Sequence, residues 1–243
     1  MASGDFFVGY LPTPRSLRIF YRVLLPLLIV AGGLLAYRFA TQQQSAGEGQ
    51  WNPAEFASME GLLLADPYPV LHLADGQSVL LVRAGKASAM QHVEPFVDQH
   101  VRIRGVPIER GGWMMLEVYS ADDVQKWSPE QLLLPPAAQS AQEVSYAGEI
   151  VDSKCFLGVM KPGSGKVHRA CAAMCLTGGL PPMLVVSDPE GNKYGYMLLN
   201  AEGGSASREL VPDVAIPVTV SGTLEVRGDL TYLRMHPGGV TRL

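Results

Sequence analysis

Cysteine is scarce in this chain of 243 residues: there are three. Three is too few for the cross-linked framework of a small disulfide-rich domain, and an odd count leaves one thiol over after simple pairing. Basic charge is also thin, 19 Lys and Arg against 23 Asp and Glu, with no basic stripe. That balance excludes a nucleic acid as partner. No Cys-x-x-Cys-His is present, so haem attachment of that kind is excluded. The ordered ligands of a blue-copper site, ending in a C-terminal His, are missing too. The nearest approach to a nucleotide motif is Gly163-Ser-Gly165-Lys166, but Met160 stands where the first glycine belongs and Val167 where Ser or Thr belongs. Asp152, Asp188 and Glu190 have no recognisable catalytic spacing and read as solvated turn residues. His72, His92, His100 and His236 are scattered and read as surface or packing residues. Without an acid/base constellation, no catalytic residue is expected and hydrolysis is an improbable activity.

Charge is absent altogether from Val23 to Tyr37. With Ile19, Phe20 and Tyr21, that run approaches the roughly 20 residues that cross a bilayer as a helix. Arg18 and Arg22 lie in the first turns, where long side chains reach back to headgroups. No small-x-small cleavage site follows Tyr37, so the segment reads as a retained single-pass anchor, residues 17–38, with a kink expected at Pro26. Arg15, Arg18 and Arg22 precede the run and place residues 1–16 in the cytoplasm and the bulk of the chain outside, in the periplasm of a Gram-negative cell. Residues 1–16 form either a surface or partner-docking segment or a disordered terminus.

A polar spacer, residues 39–52, leads into a first unit, 53–127. A second soft stretch, 128–144, with Pro135-Pro136, separates it from a second unit, 145–243. The two units repeat one another. Val101-Arg-Ile-Arg-Gly105, Arg110-Gly111 and Met115–Val118 align without a gap on Val218-Thr-Val-Ser-Gly222, Arg227-Gly228 and Tyr232–Met235. Upstream, Pro69-Val-Leu71 matches Pro182-Met-Leu184, and Gly61-Leu-Leu-Leu64 matches Gly148-Glu-Ile-Val151. Each half offers about five short strands, with Gly105 and Gly222 marking a bend or bulge, and a short helical or irregular piece before the fourth strand. The fold class is therefore mainly β: an apolar helix, then two tandem OB-like barrels. Trp51, Trp113 and Trp127 fall in or just before the first unit and are expected at its rim.

The repeat isolates the cysteines. Gly61 to Pro69 spans 8 positions and Gly148 to Pro182 spans 34, so residues 152–182 contain a 26-residue insertion between the first two strands of the second unit. An insertion in a repeated scaffold points to function. All three cysteines, Cys155, Cys171 and Cys175, lie in it, with His168. A helix starting near Val167 would put His168, Cys171 and Cys175, at i, i+3 and i+7, on one face, and Cys155 from the other arm could complete a Cys3His metal site. Zinc or copper suits such ligands, and Met160, Met174 and Met183 offer further sulfur. Two other readings stay open: a disulfide from Cys155 to Cys171 or Cys175 that staples the insert, and thiol–disulfide exchange, with Lys154, Lys166, His168 and Arg169 favouring thiolates.

Gly148, Asp152, Cys155, His168, Cys171, Cys175 and Gly222 resemble the pattern of a family of small uncharacterised bacterial exported proteins: Gly-x-hydrophobic-x-Asp-x-x-Cys, then His-x-x-Cys-x-x-x-Cys, then a Gly-terminated strand pair. The resemblance covers about 95 residues, from Gly148 to the end, and implies no activity. The first unit is similar in layout to periplasmic OB-fold proteins. An anchor followed by an OB barrel also resembles the haem chaperone of cytochrome c maturation, but that family's Tyr four residues after the haem-binding His is Val240 here, after His236. The sequence is thus read as a membrane-anchored periplasmic binding or accessory module, metal-binding through Cys155, His168, Cys171 and Cys175, with the bilayer and a membrane redox complex as partners. The alternatives are a thiol–disulfide protein or a structural module with a stapled loop.

Overall fold

The computed structural model describes residues 15–42 and 49–243. The chain divides into two compact units, Met1–Ser45 and Ala46–Leu243. In the first, helix α1 runs unbroken through Pro26 from Arg15 to Gln42. Its apolar stretch, Leu17–Arg38, has a mean hydropathy of 2.1 and is long enough to cross a membrane. The expected cytoplasmic segment lies outside the described residues except for its last two positions.

The second unit holds two closed five-stranded barrels of the same topology. The first is built from β2 (Ala57–Ala65), β3 (Pro69–Leu73), β4 (Ser78–Arg83), β6 (Gln99–Arg110) and β7 (Trp113–Val118). Short strands β1 (Gln50–Trp51), β5 (Ala87–Ser88) and β8 (Val124–Lys126) extend its sheet, and a one-turn helix, α2 (Met90–Val93), precedes β6. The second is built from β9 (Ala138–Asp152), β10 (Pro182–Ser187), β11 (Lys193–Leu199), β12 (Pro217–Arg227) and β13 (Leu230–Arg242), with helix α3 (Arg169–Thr177) in the insertion. Each barrel closes through one parallel pairing between its third and fifth strands: Leu81 opposite Leu116, and Leu198 opposite Leu233. The registers reproduce the repeat residue by residue. Ala65 pairs with Pro69 where Asp152 pairs with Pro182, and Val106 pairs with Glu117 where Thr223 pairs with Arg234.

The shared glycines have a shared cause. A Cβ on Gly105 would press on the carbonyl oxygen of Glu117, and one on Gly222 on that of Arg234, its counterpart. At Gly222 the β12–β13 register also shifts, as a bulge requires. The first strand of the second barrel begins inside the stretch expected to be a linker. β9 starts at Ala138 because long β12 offers it partners down to Arg227. Small polar residues suit a strand with a wet face: Ser145 Oγ lies 2.9 Å from Ser221 Oγ, and Thr223 donates to Glu143.

Three apolar clusters hold this unit together. One fills the first barrel, with Leu63, Leu71, Leu81, Ile103 and Leu116. One fills the second, with Ile150, Leu184, Leu198, Val220 and Leu233, and takes in Ala172 and Leu176 of α3. The third lies between the barrels, joining Val70, Leu80, Val82, Ile108 and Met115 to Val151, Leu157, Leu180, Met183, Met197 and Leu199. Period-two alternation explains the assignment: on β4, Val79 and Leu81 face inward while Leu80 and Val82 face the other barrel. This is why β4 and β10 read as continuous apolar runs, since both of their faces are buried. Each fully buried Leu at the junction contributes about 1.5–3 kcal/mol, so the barrels form one body and not two tethered units. Tyr68 of the first barrel donates to Leu198 O at 2.7 Å and accepts from Ala206 N at 3.0 Å. Trp51 and Trp113 pack on this junction and not only on the first unit's rim, and Trp127 lies against the His100 ring.

Candidate metal centre

The insertion leaves the second barrel at Asp152, the last residue of β9, and returns at Pro182. The first arm makes a short helical turn, Cys155–Val159. Gly158 in it has φ of 155° and sits against the backbone of Gly49 and Gln50, an approach that excludes a side chain. The second arm makes a 3-10 turn, Lys166–His168, and then α3. The expected helix is therefore present, with His168 at its N-cap.

These two arms bring the cysteines and histidine together in two overlapping groups. Donor atoms of Cys155, His168 and Cys171 all lie within 4.8 Å of one another, and so do those of Asp152, Cys155 and Cys175. Cys155 belongs to both. Its sulfur is 4.0 Å from that of Cys171, well beyond the roughly 2.05 Å of a disulfide. All three cysteines are free thiols. Cys155 and Cys175 are buried, at 4% and 1% exposure, while Cys171 is half-buried.

Asp152 corrects the sequence reading. It is not a solvated turn residue but wholly buried. Oδ1 accepts from Cys155 N at 2.9 Å and fixes the turn, and Oδ2 lies 3.0 Å from His168 Nε2. A carboxylate there holds the proton on Nε2 and leaves Nδ1 as the ring's free lone pair, the arrangement that orients metal-binding histidines. Asp188, by contrast, is a half-buried turn residue, accepting from Asn192.

The cation beside the thiols also differs from expectation. Lys154 points away from them. It is 3% exposed, and its Nζ donates to Glu117 Oε1 at 2.5 Å, Gly85 O at 2.7 Å and Arg83 O at 3.0 Å, all in the first barrel. Glu117 accepts in addition from Trp51 Nε1 and the Tyr119 hydroxyl. Arg169 is turned to Pro212 O, and Lys166 is exposed. It is Lys86, in the turn between β4 and β5, that reaches the thiols: its Nζ lies 3.0 Å from Cys171 Sγ. The same turn is tied to the insertion by Ser88 N donating to Gly178 O. No sequence signal marks Lys86. Met160 and Met174 are exposed on the insertion, whereas Met183 is buried between the barrels.

Protonation is unevenly shared. The Cys155 thiol, hydrogen-bonded to Cys175, buried and next to the Asp152 carboxylate, is pushed far above the ordinary thiol range. Cys175, which receives that hydrogen bond and feels the Lys86 charge, is held below it. Lys86 is raised by its bond to Cys171. Two buried sulfurs thus compete for one proton, and a cation binding there would have to displace it.

The fold is one of two closed barrels in which a Cys/His group lies close enough to bind a metal ion. Comparison with family models, with curated proteins and with solved structures returns no match.

Proposed function

We propose that this chain is a membrane-anchored accessory module, facing the periplasm, whose second barrel binds a metal ion through Cys155, His168, Cys171 and Cys175. The observation that carries the reading is the convergence of Cys155, His168 and Cys171 donors within 4.8 Å, with His168 held by the buried Asp152. Once thiolates form, the ion finds soft ligands, an imidazole presented through one nitrogen, and Lys86 to offset negative charge at Cys171. Cys175 joins the set from the group it shares with Cys155 and Asp152. The apolar helix supports the membrane address, and the Arg residues before it support the outward orientation. The resemblance to exported proteins with the same Cys/His pattern agrees with that address. A membrane redox complex is the partner that fits a thiol-rich site held at the bilayer.

The test is to purify the full chain in detergent without oxygen and to measure bound metal and free thiols together. About one equivalent of metal, with the thiols protected until it is removed, is the expected result. His168→Ala should lower metal retention, and full retention in that variant would overturn the ligand assignment.

A second reading has its own observation. The 4.0 Å between Cys155 and Cys171, with Lys86 on the more exposed sulfur, also suits a reversible disulfide with Cys171 as the attacking thiol. A metal-free preparation carrying a readily reduced disulfide and one remaining thiol would favour this exchange function instead.

A further inference from the structure

The outer face of α3 carries, beside the ligand Cys171, a thioether that the ligand assignment does not use. Cys171 and Met174 stand at i and i+3 of α3 and so share one face, and Val167 precedes them in the 3-10 turn. Cys171 is half-buried, whereas Val167 is 84% and Met174 61% exposed. A thioether on the solvent side of the one accessible thiol is a poor use of surface for a structural loop. It is well placed for a soft cation on its way to that thiol. Thioethers discriminate: they serve monovalent copper and contribute little to zinc, which prefers thiolate, imidazole and carboxylate. Met160, also exposed on the insertion, adds to the same preference.

The interior of the site agrees. The group that contains both Cys171 and His168 has three donors, Cys155 completing it, and Cys175 falls in the other group. Metal–sulfur bonds of about 2.3 Å set 120° apart place two sulfurs about 4.0 Å from each other, and at the tetrahedral angle about 3.8 Å. Cys155 and Cys171 are 4.0 Å apart. Three soft donors in a plane satisfy monovalent copper, whereas zinc requires a fourth.

Resting on the metal-binding reading above but dropping Cys175 from its ligand set, because Cys175 is not in the group that holds His168 and Cys171, we infer that the ion is monovalent copper, held by Cys155, His168 and Cys171, and that it enters and leaves along Met174 and Cys171. The transfer is ligand exchange without electron transfer. The Met174 sulfur forms a bond to copper as a bond to the incoming carrier breaks. The Cys171 thiolate, its proton released to solvent, then displaces the thioether, and Cys155 and His168 complete the set. Release runs the same steps backward to an acceptor with thiolate or thioether ligands. The buried Cys155 anchors and the half-buried Cys171 exchanges.

The experiment uses the full chain in detergent, loaded anaerobically with monovalent copper in the presence of equimolar zinc. Copper X-ray absorption and the rate of transfer to bathocuproine disulfonate are measured. One copper with two sulfur donors and one nitrogen donor is expected. Cys155→Ser should lose copper by about 100-fold or more in affinity. Met174→Leu, which keeps the apolar surface and removes the sulfur, should keep affinity within about threefold while slowing transfer about fivefold or more. Retention of zinc in preference to copper, or four-donor coordination, would overturn this inference and leave the metal-binding reading standing. Transfer from Met174→Leu at the wild-type rate would overturn the entry path. Retention of neither metal would remove both.

Discussion

The two barrels share strand order, register and even the carbonyl oxygens their glycines lie against, yet only the second carries the thiols. Where β2 turns into β3 through residues 66–68, β9 reaches β10 through residues 153–181. The first barrel closes without cysteine, so the fold does not depend on the thiols. What the second barrel adds is a run of buried polar residues, Asp152, Ser153 and Lys154, followed by Cys155. Burying such groups is unfavourable without partners; Ser153 Oγ has none among the described residues, and the partners of the two charged residues come from both barrels. Lys154 is answered by Glu117, Arg83 O and Gly85 O, and Cys171 by Lys86. The first barrel, bare of site residues by sequence, is half of the site's frame.

The most severe test of that dependence is Lys154→Met. It leaves the Glu117 carboxylate buried without its cation and strips Arg83 O and Gly85 O of their donor. A loss of about 3–5 kcal/mol in unfolding free energy is expected, and the double variant Lys154→Met/Glu117→Leu should regain most of it, because removing both charges removes the desolvation cost as well. Urea titrations of the three proteins measure it. A loss below about 1 kcal/mol in the single variant would mean that the junction rests on its apolar cluster alone.

Gly105→Ala and Gly222→Ala test the equivalence of the scaffolds. Each new methyl would be driven into a backbone oxygen that cannot move without its strand, at a cost of about 1–3 kcal/mol. The two costs should agree closely, by the same titration. A strongly unequal pair would show that the registers match while the packing does not.

Asp152→Asn tests the difference between the barrels at the position where the first has Ala65. Asparagine keeps the shape and can still accept from Cys155 N. Its amide, turned to His168, moves the ring proton to Nδ1 and removes the free lone pair. Metal affinity should fall about 10- to 100-fold while the unfolding midpoint changes little. Competition with a chelator measures the first and thermal unfolding the second.

Much of this was legible in the sequence, for reasons that differ by feature. The repeat was visible because strand pairing repeats at fixed spacing, and the insertion followed from it by counting. The helix over His168, Cys171 and Cys175 was visible because helical periodicity is local. Asp152 was misread as a surface residue because spacing within the chain says nothing of burial. Its one signal was an acid at the repeat position of Ala65, where the scaffold needs none. Lys86 was invisible, since it lies 85 residues from Cys171 and meets it only because the barrels pack together. That packing was itself hinted at by the continuous apolar runs of β4 and β10, which a barrel with one wet face would not require.

The smallest expected effect separates the barrels at a position remote from the cysteines. His72 follows Pro69 by three residues as Val185 follows Pro182, and its Nδ1 lies 2.9 Å from the Ser78 hydroxyl. Burial lowers the pKa of His72 below its ordinary value, and Asp229 opposes that only in part. The unfolded chain therefore takes up this proton at a higher pH than the folded one does. Stability is unaffected well above about pH 6.5 and declines as the pH falls through that value toward the folded pKa. His72→Val imports the second barrel's residue and abolishes this contribution. The variant should be less stable at neutral pH, having orphaned Ser78 Oγ, yet its unfolding midpoint should fall less between pH 7.5 and pH 5.5 than that of the parent. Half-exposed as the ring is, screening limits the difference to on the order of a few tenths of a kcal/mol. An identical pH response in the two proteins would show that His72 does not contribute to the acid sensitivity.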